Sequence, residues 1–330
     1  MDSLAEVEVE RTLKSTGQGE AGSGSVPVID MNAADDLIAE GIMRAASEVG
    51  FFTLVNHGID SAEIERAFGA SMRFFAQPKE VKEAQAPWQR DKNSGYEHFA
   101  QVRPSTGLAD QKESLQITAR EGAMASGWPP LDGFEAAATA LLARAHALAL
   151  RVLSLIEPLA CPHVPAGTLA RAHTMWGANG QCTLRMIHYP PIDAPESVPA
   201  GHWRAGPHTD WCCVTLLFQR LGEAGLECAP NPRAQTATGC AAGGGGWLRV
   251  DPVPGGICVN IGDMLMRWSN QTLLSNLHRV RMPTADEAKR SRYSIAFFAQ
   301  ADKDALIQSD EHNMTAGEYI LGRIRSNFAQ

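Results

Sequence analysis

The apolar pattern of this chain changes its period near residue 175, and this change restricts the folds that it can adopt. Before this point, apolar residues recur at helical spacing in residues 35–49, 61–75 and 134–159, with Ser61 expected as a helix N-cap. Beyond it, short β-branched or aromatic runs alternate with Gly, Pro and Asn, which predicts an antiparallel barrel or sandwich. These runs are residues 183–189, 213–219, 248–250, 257–261, 277–282 and 293–299.

The remaining segments complete a chain that mixes helices and strands. The N-terminal third is expected to hold one or two strands, at residues 26–30 and 51–55, and residues 315–327 are expected to form a helix. Residues 1–25 are polar and rich in Gly, which predicts a disordered tail. Residues 229–246 are rich in Gly, Pro and Thr, which predicts a flexible insertion between two strands, either a surface loop or a lid.

Charge and cysteine usage exclude several classes of protein. The chain has 29 Lys and Arg against 37 Asp and Glu, so we expect neither nucleic acid nor an anionic membrane as a partner. Residues 136–160 contain Arg144, His146, Arg151 and Glu157, whereas a membrane span needs about 20 nearly uncharged residues. Because the N-terminus lacks the apolar region of a secretory signal, we expect a cytoplasmic location. Seven cysteines without a Cys-x-x-Cys pair predict buried thiols rather than disulfides or a zinc ribbon.

The triplet His208-Thr209-Asp210 is the first pattern with a chemical meaning. It precedes the apolar run 214–218, so we place it at the start of a strand, where residues i and i+2 project from one face. Any of the nine other histidines could supply a third ligand, but only His278 lies in another expected strand entry. Two His and one carboxylate on adjacent strands form a facial triad that suits non-haem Fe(II) and O₂.

A second pair of polar residues, Arg292 and Ser294, follows on the next expected strand. Because the two residues are two positions apart, both side chains lie on one face of that strand. A buried guanidinium presents a rigid fork to a carboxylate, and a neighbouring hydroxyl can complete the site. The pair therefore indicates an anion-binding site, although Arg292 alone could equally be a surface or ion-pair residue.

Further motifs surround these residues along almost the whole chain. They are Gly50-Phe51-Phe52-Thr53-Leu54-Val55-Asn56-His57-Gly58-Ile59, Phe74-Phe75-Ala76-Gln77-Pro78-Lys79-Glu80, Gly95-Tyr96, residues 110–113, Tyr189-Pro190-Pro191, Asn260-Ile261-Gly262-Asp263, Trp268-Ser269-Asn270 and Leu277-His278-Arg279-Val280. With these motifs in this order, the chain resembles the iron and 2-oxoglutarate-dependent oxygenases of the isopenicillin N synthase-like group. The resemblance extends from about Val26 to Phe328.

The resemblance implies an α+β fold with a mainly β core, a double-stranded β-helix (jelly-roll) barrel between N-terminal and C-terminal helices. It implies one catalytic domain over residues 26–328, mostly helical over 26–175, jelly-roll over 176–300 and helical over 301–328. The implied enzyme is an Fe(II)- and 2-oxoglutarate-dependent dioxygenase of a small, specialised metabolite, with O₂ as co-substrate and succinate and CO₂ as co-products. Hydroxylation is the commonest outcome in the family, desaturation and rearrangement also occur, and ascorbate is a candidate stimulant.

The functional residues of the family can be assigned to positions in this chain. By this resemblance His208, Asp210 and His278 would hold Fe(II), while Arg292, Ser294 and Tyr189 would bind 2-oxoglutarate. The chain departs from many plant members at Ile187-His188-Tyr189, where they have Asn-Tyr-Tyr. His188 should point to the opposite face of its strand from Tyr189, so we expect it to support the core or the site rather than bind metal.

Four residues are candidates for contact with the prime substrate. Arg185 shares the strand face of Tyr189 and could bind a polar substrate group or lie at the surface. Trp211, directly after Asp210, could shape the pocket or serve only in packing. Phe298 and Tyr96 are further candidates.

Two other functions remain open at this stage. The first is an Fe(II) oxidase or cyclase that uses O₂ without 2-oxoglutarate, since that branch can also carry an Arg-x-Ser motif. The second is a catalytically silent ligand-binding protein on the same barrel. The sequence indicates a small-molecule substrate but neither its identity nor the oligomeric state.

Overall fold

Helices from the first half of the chain pack against one face of a large β-sheet. The computed structural model describes residues 21–22, 26–102, 108–125, 128–193, 198, 202–229 and 247–328. The helices among them are α1 (Asp35–Glu48), α2 (Ser61–Phe75), α3 (Lys79–Gln85), α4 (Phe134–Ala160), α5 (Thr168–Arg171), α6 (Asp263–Trp268), α7 (Ala285–Ala288) and α8 (Ala316–Phe328).

The predicted helices agree with these bounds to within one residue, but the N-cap of α2 differs. The N-cap of α2 is Asp60, whose carboxylate accepts a hydrogen bond from the backbone N–H of Ala62 at 2.9 Å, so the prediction of Ser61 as the cap was wrong by one residue. Helix α4 runs through Pro158 and ends at Ala160. By length and composition α4 could cross a membrane, but its buried face packs against α1, α2 and the large sheet.

The strands form two facing sheets and one short hairpin. They are β1 (Ala21–Gly22), β2 (Val28–Asp30), β3 (Phe51–Val55), β4 (Gly95–His98), β5 (Glu113–Thr118), β6 (Thr183–Tyr189), β7 (Ala205–His208), β8 (Val214–Gln219), β9 (Leu226–Cys228), β10 (Trp247–Arg249), β11 (Ile257–Ile261), β12 (His278–Val280), β13 (Arg292–Ala299), β14 (Leu306–Ile307) and β15 (Met314–Thr315). The large sheet has the order β2-β3-β11-β8-β13-β6-β5-β4, the small sheet β1-β10-β9-β12-β7, and β14 pairs with β15.

Each face of the large sheet covers a separate apolar core. The outer core lies between the large sheet and the helices and includes Phe52, Phe74 and Leu141. The inner core lies between the two sheets and includes Tyr189 from the large sheet and Val280 from the small sheet. This two-sheet barrel agrees with the antiparallel β core expected in the second half of the chain.

The N-terminal third contains more strand than predicted. It holds β2, β3, β4 and β5, and the last two extend the large sheet beside β6. The expectation of one or two strands was therefore wrong. Every residue of β5 is buried although Ser114, Gln116 and Thr118 are polar, so the strand shows no alternation of buried apolar and exposed polar residues.

The predicted insertion connects two paired strands. Leu248 of β10 lies opposite Cys228 of β9 in an antiparallel pair, so the predicted insertion falls in the sequence between two neighbouring strands. Residues 230–246 lie outside the described residues, as do residues 1–20 and 23–25 of the expected disordered tail. Within that tail, Ala21–Gly22 forms a parallel pair with β10, so disorder was the wrong expectation for these two residues.

Candidate metal centre and co-substrate pocket

Two histidines from neighbouring strands of the small sheet face each other. His208 is the last residue of β7 and pairs directly with His278, the first residue of β12. Their ring centroids are 4.2 Å apart. Asp210 lies beyond β7, in the connection to β8, so the expectation that His208 and Asp210 open a strand and share its face was wrong. The two side chains converge although only His208 belongs to the strand.

The three side chains bring their ligand atoms to a common centre. The Nε2 atoms of His208 and His278 lie 4.0 Å and 3.7 Å from Oδ1 of Asp210. All three ligand atoms lie within 4.8 Å of one another. Among the described residues, this is the only group of three His, Cys, Asp or Glu side chains with a spacing that fits a metal ion.

Backbone carbonyls orient the two imidazoles. Nδ1 of His208 donates to the carbonyl of Gly206 at 2.8 Å, and Nδ1 of His278 donates to the carbonyl of Asn276 at 3.2 Å. A protonated Nδ1 leaves Nε2 as the nitrogen with a lone pair. Both imidazoles are therefore in the tautomer that can bind a metal at the common centre.

Asp210 is held by hydrogen bonds from two strands of the large sheet. Its Oδ2 accepts from the hydroxyl of Thr215 at 2.7 Å and from the side-chain amide of Asn260 at 2.8 Å. These bonds fix the carboxylate and direct Oδ1 towards the two imidazoles. Two neutral imidazoles and one carboxylate fit Fe(II) with further coordination positions for small ligands.

A buried guanidinium lies at one end of the inner core. Arg292 pairs across the sheet with Tyr189, and its Cζ lies 4.8 Å from the centre of the Tyr189 ring. Its Nε donates to the backbone carbonyls of Glu223 and Ala224 at 3.0 Å and 3.1 Å. Its Nη1 is buried without a hydrogen-bond partner among the described residues. Because a buried cationic donor needs an acceptor, these surroundings fit an anionic group, with Ser294 two residues further along the same face.

Two of the expected substrate residues come together towards the other end of β6 and β13. Arg185 is half-buried, and its Nε donates to the side-chain carbonyl of Gln116 at 2.5 Å. Its guanidinium carbon lies 5.6 Å from the centre of the Phe298 ring. Phe298 packs against the inner core, so this pair contributes to the barrel interior.

The other two expected substrate residues lie in different surroundings. Tyr96 is 3% exposed in the outer core, where its hydroxyl donates to the carboxylate of Glu113. Trp211 is half-buried, and the guanidinium carbon of Arg323 lies 5.5 Å from its ring. Tyr96 is thus separated from the inner core by the large sheet.

His188 has the orientation predicted for it. Its Nδ1 lies 2.7 Å from a carboxylate oxygen of Glu113, and its Nε2 lies 2.9 Å from the hydroxyl of Ser291. Its ring stacks on Tyr293 with a centroid distance of 4.6 Å. These contacts confirm the prediction that His188 supports the core.

Sequence reasoning missed several residues that support the site. Thr215 and Asn260 hold Asp210, and Arg204, 3% exposed, lies beside Tyr189 with its guanidinium carbon 5.8 Å from the ring centre. The Asn260-Ile261-Gly262-Asp263 motif was a signal for one of them. Arg204 belongs to no pattern, because neither spacing nor composition distinguishes a single buried arginine from a surface one.

Two family models match the chain in sequence. Residues 26–133 match the model described as non-haem dioxygenase in morphine synthesis N-terminal, and residues 180–301 match the 2OG-Fe(II) oxygenase superfamily. A 2-oxoglutarate-Fe(II) type oxidoreductase of Emericella nidulans, hxnY, is 30% identical over 88% of this chain and 84% of its own length. Validamycin A dioxygenase of Streptomyces hygroscopicus subsp. limoneus is 29% identical over 86% and 79%.

Solved structures agree with these relatives. A full-length Neurospora crassa protein in complex with alpha-KG and thymine superposes with a TM-score of 0.75 at 26% identity, over 94% of this chain and 99% of that chain. A 2OG-Fe(II) oxygenase family protein of Caulobacter crescentus superposes with the same TM-score at 25% identity, over 91% and 98%. The fold and the site define a non-haem iron oxygenase with a jelly-roll core, as predicted. The chain belongs to the 2OG-Fe(II) oxygenase superfamily and is a 2-oxoglutarate-dependent dioxygenase that uses Fe(II), 2-oxoglutarate and O₂.

Proposed function

We propose a role for each polar residue of the inner barrel in this dioxygenase reaction. His208, Asp210 and His278 hold Fe(II), an assignment supported by the convergence of their ligand atoms within 4.8 Å, which is the observation that carries the proposal. Arg292 binds the distal carboxylate of 2-oxoglutarate. Ser294 and Tyr189 complete that subsite from the same strand face and from the paired strand.

The protein contributes position, charge and exclusion of water to the reaction. Bound Fe(II) and 2-oxoglutarate supply the oxidising chemistry with O₂. Thr215 and Asn260 keep the carboxylate of Asp210 in one orientation, which preserves the arrangement of the three ligands. Apolar residues of the inner core, including Phe51 and Val280, line the same interior and keep water away from it.

The proposed substrate is a small specialised metabolite that carries a hydrogen-bond acceptor or an anionic group. This class is supported by Arg185, whose guanidinium lies over Phe298 inside the barrel. Two of the similar proteins are named for, or were solved with, a small molecule: the validamycin A dioxygenase and the Neurospora crassa protein in complex with thymine. We assign packing roles to Trp211 and Tyr96. We propose hydroxylation of the substrate as the outcome of the reaction.

Replacing one proposed metal ligand tests the assignment. Asp210→Ala should abolish the formation of succinate from 2-oxoglutarate, because it removes the only carboxylate of the triad. Binding of Mn(II) or Co(II) by titration calorimetry should fall with it. Asp251→Ala is the matched control, since Asp251 is about half-exposed and pairs with Arg249 away from the triad.

Three results would change the proposal. Retained succinate formation in Asp210→Ala would remove the metal assignment. Substrate turnover without added 2-oxoglutarate would favour an oxidase or cyclase. Ligand binding without any uptake of O₂ by the wild-type protein would favour a silent binding protein. A screen of small metabolites for compounds that stimulate 2-oxoglutarate decarboxylation would identify the substrate.

We further propose that residues 26–328 form one catalytic unit. The large sheet supports this, because β2, β3, β4 and β5 from the first part pair with strands of the second part. A cytoplasmic location and the absence of nucleic-acid and membrane partners stay predictions from the sequence.

A further inference from the structure

Two buried guanidiniums lie on the same aromatic ring at one end of the barrel. Arg204 precedes β7 and Arg292 begins β13, and each is 3% exposed. Their guanidinium carbons lie 5.8 Å and 4.8 Å from the centre of the Tyr189 ring. The small sheet and the large sheet therefore each bring one cation to Tyr189.

Both guanidiniums have donors without acceptors. Nη1 of Arg292 and Nε of Arg204 are buried and have no hydrogen-bond partner among the described residues. The hydrogen bond from Nη2 of Arg204 to the carbonyl of Pro190 is long at 3.5 Å. Neither arginine makes an ion pair within the described part of the chain, although Arg281 nearby is paired with Glu287. Two unpaired cationic donors buried beside one aromatic ring are costly unless an anion binds there.

The charges of the two arginines lead to the same conclusion. Burial, followed by the positive charge of Arg292, lowers the pKa of Arg204 to about 10. At neutral pH Arg204 is still protonated, so two buried positive charges remain beside the Tyr189 ring. A carboxylate has two oxygens with about four lone-pair positions and can accept from both guanidiniums at once.

We propose that Arg204 is a second residue that binds the distal carboxylate of 2-oxoglutarate, together with Arg292, and that this pair selects 2-oxo acids with a second carboxylate. The inference rests on the proposed role of Arg292. In the alternative, Arg204 only packs on Tyr189 and holds Pro190, and its loss affects stability alone.

The test compares two 2-oxo acids that differ only at the distal end. 2-Oxoglutarate and 2-oxopentanoate have the same number of carbons, but only the first carries the distal carboxylate. Their dissociation constants are measured without O₂ by titration of the Fe(II) protein, followed by its absorbance and by calorimetry. The variants are Arg204→Met, Arg204→Lys and Arg292→Met, with Arg281→Met as a control for the loss of a nearby cation that already has a partner.

We expect Arg204→Met to weaken 2-oxoglutarate binding about 10- to 100-fold, the range for charged hydrogen bonds, and to change 2-oxopentanoate binding less than about 2-fold. Arg204→Lys should give a smaller loss, because it keeps the charge without the planar fork. Arg281→Met should leave both constants within about 2-fold of the wild type. If Arg204→Met does not fold, as judged by its melting curve, Arg204→Lys carries the comparison.

Two outcomes would overturn the inference, and a third would affect the proposed function instead. If a folded Arg204 variant binds both acids more weakly to the same extent, or binds both as the wild type does, Arg204 serves only in packing. If Arg292→Met binds 2-oxoglutarate as the wild type does, the assignment of Arg292 fails, whatever Arg204 does. If Arg292→Met loses selectivity and the Arg204 variants keep it, only the further inference fails.

Discussion

At the scale of single residues, two polar groups in the barrel, Asp210 and Arg185, are oriented by partners on other strands. Asp210 directs one oxygen to the proposed metal centre because Thr215 and Asn260 occupy the other. Arg185 is held by Gln116 in the same way. An inward-facing side chain with a fixed partner loses little further conformational entropy when a ligand binds, which favours recognition by these groups.

Arg185 provides a prediction at this scale. Arg185→Met should raise the KM for the prime substrate about 10-fold or more, because one charged hydrogen bond to the substrate is lost, and should leave 2-oxoglutarate affinity within about 2-fold. The measurement is steady-state kinetics with a compound found by the decarboxylation screen. Arg185→Lys should recover part of the loss. An equal loss of 2-oxoglutarate affinity would mean that Arg185 shapes the whole pocket and does not bind the substrate specifically.

At the scale of elements, the C-terminal helix α8 reaches the loop that carries the proposed metal ligands. Arg323, fully buried, lies with its Nη2 2.9 Å from a carboxylate oxygen of Asp263 and donates to the hydroxyl of Thr209 at 3.3 Å. Thr209 itself donates to Asp263 at 2.9 Å, and the backbone N–H of Asp263 donates to the carbonyl of Asp210 at 2.8 Å. Residues distant in sequence thus fix the backbone of the metal loop.

Removing this arginine should affect stability and metal binding together. Arg323→Met leaves the buried carboxylate of Asp263 without its cation, which costs about 3–5 kcal/mol of unfolding free energy. We expect affinity for Mn(II) to fall about 10-fold, since contacts that orient metal ligands tune metal binding by about 10- to 100-fold. Urea unfolding and calorimetric titration measure the two effects.

Arg267→Met is a matched control for that prediction. Arg267 is also a buried arginine, and it pairs with Glu311 at 2.8 Å instead of with the metal loop. This variant should lose stability but keep its Mn(II) affinity. Equal losses of metal affinity in both variants would show that α8 acts through general stability alone.

At the scale of the whole molecule, a buried ionic cluster joins the helical layer to the large sheet. Glu113 of β5 accepts from Lys82 of α3 at 2.6 Å and from the hydroxyl of Tyr96, and its other oxygen lies 2.7 Å from His188. Burial by itself raises the pKa of Glu113, but hydrogen bonds from His188, Lys82 and Tyr96 outweigh it and bring the pKa to about 2.

This depressed pKa predicts how stability depends on pH. Because the folded protein holds the pKa of Glu113 below its ordinary value of 4.5, the contribution is present above pH 4.5 and is lost as the pH falls towards 2. Its size is on the order of 2 kcal/mol. Glu113→Gln should remove this acid-dependent loss, measured as urea midpoints between about pH 5 and about pH 3. The exposed Glu135→Gln is the control, and an unchanged pH dependence in Glu113→Gln would contradict the role of the cluster.

The local sequence determined the elements of this protein and the chemical types of its site residues. Apolar spacing located most helices and strands, and the order of His208, Asp210, His278 and Arg292 indicated the iron and co-substrate sites. These patterns involve only residues that are close in sequence, so they can be recognised from one sequence without knowledge of the fold. β5 was missed because its alternating pattern is short and contains only two apolar residues, Leu115 and Ile117, while its polar residues are buried as well.

Only the tertiary structure decided which distant residues meet. Pairing of β7 with β12 brings His208 and His278 together, and Thr215 and Asn260 reach Asp210 from the facing sheet. Arg204 carries no signal in the sequence, because its meaning comes from burial beside a second cation. The physical reason is that sheet register and the packing of two sheets join residues far apart in the chain, and a local pattern fixes only the side of an element that faces the core.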